Sequence, residues 1–163
     1  MESQEIKICI FGDSIVWGAY DYEKGGWVER LKIYFLEKCD NVDVYNLGVS
    51  GNNSEDLLKR FEKEAITREA KIIIFAIGVN DSQYIKTKDN PRVSLEKFAN
   101  NIAELAKRAK QVADKIIFIG PTGVDDSKTT PAPWDADKNY DKETIGKYSF
   151  AIEDFCQKEK LIF

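Results

Sequence analysis

Three short stretches carry residue types from which hydrolytic chemistry is built: "GDS" at 12–14, "NLGVSGNNS" at 46–54 and "IGVND" at 77–81. A serine delivered at the end of a buried strand is a common way to present a nucleophile. Its hydroxyl is nearly inert at neutral pH until a base takes its proton, and that base is most often histidine. The 163 residues contain no histidine. Asp81 and Asp125 are poor substitutes, since nothing in the sequence aims either at Ser14. Asp13, beside Ser14 at a sharp turn, reads as a group that fixes the turn by hydrogen bonding. Singly, each stretch also has a plain structural reading. Gly12, Gly48, Gly78 and Gly120 let strands turn into loops, Ser14 and Ser50 are loop or cap serines, and Asn80-Asp81 forms a turn. Their joint placement after three successive strands argues for a site.

The elements that must position them alternate. Apolar runs at 6–11, 42–48, 71–78 and 115–120 read as strands, and "KLIF" at 160–163 begins a fifth. The isoleucine-rich third run reads as a central strand covered on both faces. Between the runs, apolar residues recur at helical spacing: Trp27, Leu31, Tyr34 and Phe35, then Leu95, Phe98, Ile102, Leu105, Ala109 and Val112, then Ile145, Tyr148, Ile152 and Phe155. Ser54, Ser94 and Asp141 are the expected N-caps, with Glu55 and Asp56 favourable in a first turn. Alternating strands and helices imply right-handed crossovers and a parallel sheet between helical layers, with function at the carboxyl ends of the strands. The expected architecture is a three-layer α/β/α sandwich with a parallel five-stranded sheet, formed by one domain over 1–163.

Composition narrows the function classes. With 43% hydrophobic and 32% charged residues, the chain fits a soluble globule. Net charge is −4 and the basic clusters, such as Lys107-Arg108 with Lys110, fall on amphipathic helical faces. No nucleic-acid footprint is expected. The three cysteines, Cys9, Cys39 and Cys156, are widely spaced and read as reduced buried thiols. Without histidine or clustered thiols there is no zinc ligand set, and neither metal nor cofactor is expected. No signal-peptide-like start or transmembrane run appears, so no membrane association is expected and the setting reads as cytoplasmic.

Other nucleophile and phosphate motifs are missing. There is no Gly-x-x-x-x-Gly-Lys loop, no dinucleotide glycine fingerprint and no Gly-x-Ser-x-Gly elbow. "FGDSIVWG" at 11–18 resembles the first block of the SGNH (GDSL-type) hydrolases, with Ile15 where leucine is usual. "NLGVSGNNS" and "IGVND" resemble the second and third blocks, and "GGW" at 25–27 fits as well. The resemblance covers nearly the whole chain and implies a flavodoxin-like strand order. It implies Ser14 as nucleophile of a carboxylic-ester hydrolase working through an acyl-enzyme. It also implies an oxyanion hole from the backbone N–H of Gly51, the side-chain amide of Asn80 and the N–H of Ser14. Gly12, Asp13 and Asp81 support this set. Trp17, Tyr20, Tyr22, Trp134 and Tyr140 fall in loops near it, either as rim packing or as an apolar wall for a small ester or an acylated carbohydrate.

The resemblance breaks at the end. The family's Asp-x-x-His block, after a fifth strand, has no counterpart up to Phe163. The expectation is therefore a C-terminally shortened domain, inactive as given, whose remaining triad residues lie outside these 163. The alternative is a non-catalytic module that binds esters or glycans, or a site completed by another chain. On the shortened reading, Ile116, Phe118 and Phe163 are expected to form an exposed apolar patch that favours self-association.

Overall fold

The computed structural model describes residues 5–163. β1 (Ile6–Gly12) leads into a single turn of helix, α1 (Ser14–Trp17), and then α2 (Trp27–Lys38). β2 (Val42–Gly48), α3 (Ser54–Thr67) and β3 (Ile72–Ala76) follow, then the short α4 (Val79–Ser82) and β4 (Tyr84–Ile85). The chain continues through α5 (Leu95–Ala109), β5 (Lys115–Ile119), α6 (Asp126–Thr129), β6 (Lys138–Asn139) and α7 (Lys142–Glu159).

β1, β2, β3 and β5 form one parallel sheet in the order β2-β1-β3-β5. The order reverses between β1 and β3, which opens a crevice at their carboxyl ends. Alternation along β1 sends Cys9 and Phe11 to one face and Ile8 and Ile10 to the other. The first face is covered by α3, α5 and α7. There Phe61, Phe75 and Phe118 are fully buried, with ring centroids 5.2 Å apart in the pairs Phe61–Phe75 and Phe75–Phe118. On the second face Val16 of α1 and Val28 of α2 close over Ile10, Val44 and Ile74.

The caps at Ser94 and Asp141 form as expected, each side chain accepting a backbone N–H three residues on. Asn53, rather than Ser54, caps α3. It forms a reciprocal capping box with Asp56, and that leaves Ser54 buried inside the first turn. The sheet has four strands, not five. The expected fifth is a single parallel bridge from Ile162 to Ile117, with Phe118 N–H donating to the Ile162 carbonyl at 2.9 Å. An antiparallel ribbon of β4 and β6, absent from the sequence reading, folds beside it. Ile116 and Phe118 are also not exposed. Both point into the α5/α7 layer, whereas Ile119, Ile162 and Phe163 are the exposed apolar residues at this edge.

Gly12 and Gly48 are required by close approach rather than by unusual dihedral angles. A Cβ on Gly48 would lie 2.2 Å from the Trp17 backbone nitrogen, and one on Gly12 would lie 2.3 Å from the Ala76 carbonyl oxygen. With Val16 Cγ2 also 2.3 Å from the Gly12 Cβ position, these contacts seat α1 directly on the ends of β1 and β2. Gly48→Ala should therefore force main chain against main chain and cost about 1–3 kcal/mol, as overpacking does. Urea denaturation of the variant checks this; an unchanged midpoint would show that α1 is free to shift.

Candidate active site

Ser14 is the first residue of α1. Asp13, 2% exposed, caps that helix by accepting the Ile15 N–H at 2.9 Å. Burial pushes the Asp13 carboxyl pKa up, and its cap hydrogen bond works against that shift. No described side chain hydrogen-bonds the Ser14 hydroxyl. Asp125 is turned away into its own cap, where hydrogen bonds from Ser127 hold its pKa low. Neither carboxylate is placed as a base for Ser14.

The loop after β2 is tied to the end of β1 by Val49 N–H donating to the Gly12 carbonyl at 3.0 Å. Gly51 follows with φ +81°, and a Cβ there would meet no atom within 4 Å. Its glycine thus answers to the left-handed backbone and to open space above it. Arg60 of α3 braces the same loop from below. Its Nε donates to Asn52 Oδ1 and its Nη2 to the Leu47 carbonyl, both at 2.8 Å, and Nη2 also reaches the Gly12 carbonyl at 3.4 Å. Its guanidinium lies 5.8 Å from the Phe11 ring centroid.

α4 carries the third group. Asn80 Nδ2 donates to the Asn52 carbonyl at 2.9 Å. Its neighbour Asp81 is fully buried and faces the other way. It accepts the Ser54 N–H at 3.0 Å and the Ser54 hydroxyl, which in turn accepts from Asn101 Nδ2 at 2.8 Å. Burial raises the Asp81 pKa to about 6 against the pull of those donors. Asp81 therefore ties α3, α4 and α5 together underneath the site and does not approach Ser14.

Ser14, Gly51 and Asn80 line one open cavity of about 770 Å³. Trp17 and Trp134 line it too, with Tyr20, Tyr22 and Tyr140. Trp17 belongs to α1 rather than to a loop and is 59% exposed. Gly12 lies beneath the cavity and shapes the turn. Arg60, Gln83 and Arg92 were not singled out by the sequence; Gln83 and Arg92 line the cavity, and Arg60 braces its loop. The buried thiols of Cys9 and Cys156 are pushed up to about 11 by desolvation and take no part.

The profile of the GDSL-like lipase/acylhydrolase family matches residues 10–163. The chain belongs to this family. Among curated relatives, the uncharacterized lipoprotein YqeF of Bacillus subtilis is 30% identical over 117 residues, covering 69% of this chain and 46% of that protein. An acetylxylan esterase of Geobacillus stearothermophilus is 22% identical over 125 residues, covering 75% of this chain and 53% of the relative. The chain spans about half the length of the curated relatives it matches. In fold it is similar to a lipase/acylhydrolase from Enterococcus faecalis, with a TM-score of 0.75 at 22% identity, over 96% of this chain and 74% of the other. No helix among the described residues is long and apolar enough to cross a membrane.

The Asp81 burial has a pH signature. Its folded pKa lies above the ordinary 3.8, so the folded state holds the proton more tightly, and this group's contribution to stability grows as pH falls through about 6. Relative to Asp81→Asn, which cannot titrate, the wild-type chain should gain about 2 kcal/mol between pH 7 and pH 4. Paired urea titrations at the two pH values measure this difference. A difference that stays flat or shrinks on acidification would contradict the assigned burial.

Proposed function

We propose that this site is that of a serine carboxylic-ester hydrolase. The observation that carries the reading is the meeting of Ser14, Gly51 and Asn80, from three separate strand ends, at the wall of one cavity. In this reading Ser14 Oγ attacks the ester carbonyl. The negative charge that develops on the carbonyl oxygen is met by the N–H groups of Gly51 and Ser14 and by Asn80 Nδ2. Such donors are already in place when charge appears, so the protein need not reorganise during reaction. Collapse of the tetrahedral intermediate releases the alcohol and leaves an acyl group on Ser14, which water then removes. The proton of Ser14 goes to a base that these 163 residues do not supply.

The lining speaks to substrate class. Apart from Ala19, no aliphatic side chain lines this larger cavity; its apolar surface is aromatic, and Asp21, Glu29, Arg92 and Lys138 line it as well. Beside it a smaller cavity of about 210 Å³ shares Ser14 and Asn80 and adds Ile15, Val79 and Val124, an aliphatic slot sized for a short acyl group rather than a long fatty chain. A short acyl group on a polyhydroxylated alcohol fits better, with ring faces against the sugar and polar groups for its hydroxyls. The similarity to acetylxylan esterases supports that choice. A cytoplasmic setting belongs to this reading, supported by the free state of all three cysteines.

The missing histidine favours a second reading, in which the same cavity binds an acylated glycan without turning it over. Hydrolysis of p-nitrophenyl acetate separates the two. Loss of a triad histidine costs on the order of 10⁶ in turnover, so the 163-residue chain should be a very poor catalyst. Joined to a family-like segment carrying Asp-x-x-His, it should hydrolyse the ester. Ser14→Ala should then abolish turnover, and Asn80→Ala should lower kcat by about 10²–10³. A well-folded extended protein that hydrolyses neither this ester nor acetylated xylo-oligosaccharides, yet binds the latter, would favour the binding module.

A further inference from the structure

The segment that leads into α7 reaches back over the site through one side chain. Tyr140 is buried, and its ring packs 6.2 Å from that of Trp134. Its hydroxyl accepts a hydrogen bond from Gln83 Nε2 and lies 3.4 Å from Asn80 Oδ1. A phenol carries one hydrogen, and a side-chain amide presents an acceptor at one end and donors at the other. Because Gln83 brings its own hydrogen, the Tyr140 hydrogen is free to go on to Asn80 Oδ1. Burial also raises the phenol pKa, which keeps that hydrogen in place. Across the amide, Asn80 Nδ2 donates to the Asn52 carbonyl, which can only accept.

The two contacts therefore read the two ends of the same amide. A half-turn of the Asn80 side chain would set Oδ1 against the Asn52 carbonyl and leave the Tyr140 hydrogen facing donors. We infer that Tyr140 is a positioning residue for Asn80: its hydroxyl, aimed by Gln83, holds Oδ1 back so that the second Nδ2 hydrogen faces the cavity beside Ser14. This rests on the reading of Asn80 as an oxyanion donor. At 3.4 Å the contact is long for an O–H···O bond, and it acts by orientation more than by strength. Among the described residues the Tyr140 hydroxyl is the one donor to Asn80 Oδ1. A flipped amide would present an acceptor to the developing oxyanion, so even partial loss of orientation is felt in the transition state.

Tyr140→Phe tests this, because the ring and its packing remain and only the hydroxyl goes. The first readout is the side-chain amide pair of Asn80 in ¹⁵N-labelled 163-residue chain, assigned by its loss in Asn80→Asp. In Tyr140→Phe the pair should shift, and its hydrogen exchange should quicken by about 3- to 10-fold, the worth of one hydrogen bond. Gln83→Met, which leaves the phenol but removes the group that aims it, should move the same two signals. The second readout is Ser14-dependent hydrolysis of p-nitrophenyl acetate by the chain joined to the family-like Asp-x-x-His segment. There kcat should fall by about 3- to 10-fold with KM unchanged, and Tyr140→Phe should cost nothing further in an Asn80→Ala background. Asn80 signals that are unaltered in both variants, each folded by its melting transition, would overturn the inference. Altered signals, with no Ser14-dependent hydrolysis even by the extended chain, would support the positioning role and count against the esterase reading instead.

Discussion

Arg60 is the point at which the three strand ends become one site. The carboxyl ends of parallel strands present carbonyl oxygens that need donors once the ladder stops. Here the Leu47 and Gly12 carbonyls and the side chain of Asn52 converge on a single guanidinium, itself laid over Phe11 and paired with Glu64 at 3.1 Å. A planar cation with five donors can meet several acceptors at fixed angles at once, which lysine cannot. What Arg60 holds then holds the next layer. Asn52 supplies the carbonyl that receives Asn80, and the Gly12 carbonyl receives the Val49 N–H, which ties the loop after β2 to the end of β1 just before Ser14.

The geometry above Arg60 depends on a second constraint, the absence of side chains where main chain meets main chain. Gly12 and Gly48 let α1 sit on the sheet without a gap, so Ser14 is placed by backbone contacts rather than by a flexible loop. Asp81 does the corresponding work below α4, at the cost of a buried carboxylate. Its oxygens take the Ser54 donors, and α3, α4 and α5 share one hydrogen-bond network. Asn80 and Asp81 are adjacent in sequence but opposite in duty, one turned to the cavity and one to the core.

Much of this was legible before any coordinates. Strand runs of continuous isoleucine and helices with apolar residues at helical spacing defined the α/β layers, and three motif blocks at strand ends marked Ser14, Gly51 and Asn80. Arg60 was not legible because two of its partners are backbone carbonyls, which every sequence has, and Phe11 and Asn52 lie on other elements. Tyr140 stood out only as one more aromatic, since its effect lies in a single hydroxyl whose neighbours, Gln83 and Asn80, come from another element. Ser54 looked like a cap because serine favours that position, yet Asn53 has Asp56 three residues on to complete a reciprocal box, where Ser54 would have Leu57. Of the expected exposed patch Phe163 is exposed, and the two β5 residues were misassigned by one residue of strand phase. Ile116 and Phe118 share the inner face of β5, and Ile117 and Ile119 the other.

The central claim is that Ser14 is a nucleophile facing a preformed oxyanion hole, and acylation of the chain itself tests it most directly. The chain, joined to a family-like segment carrying Asp-x-x-His, is incubated with p-nitrophenyl acetate and quenched in acid, and the modified peptide is mapped by mass spectrometry. The account predicts one acetyl group on Ser14, absent in Ser14→Ala and formed more slowly in Asn80→Ala. Acetylation spread over surface lysines with Ser14 unmodified would contradict it.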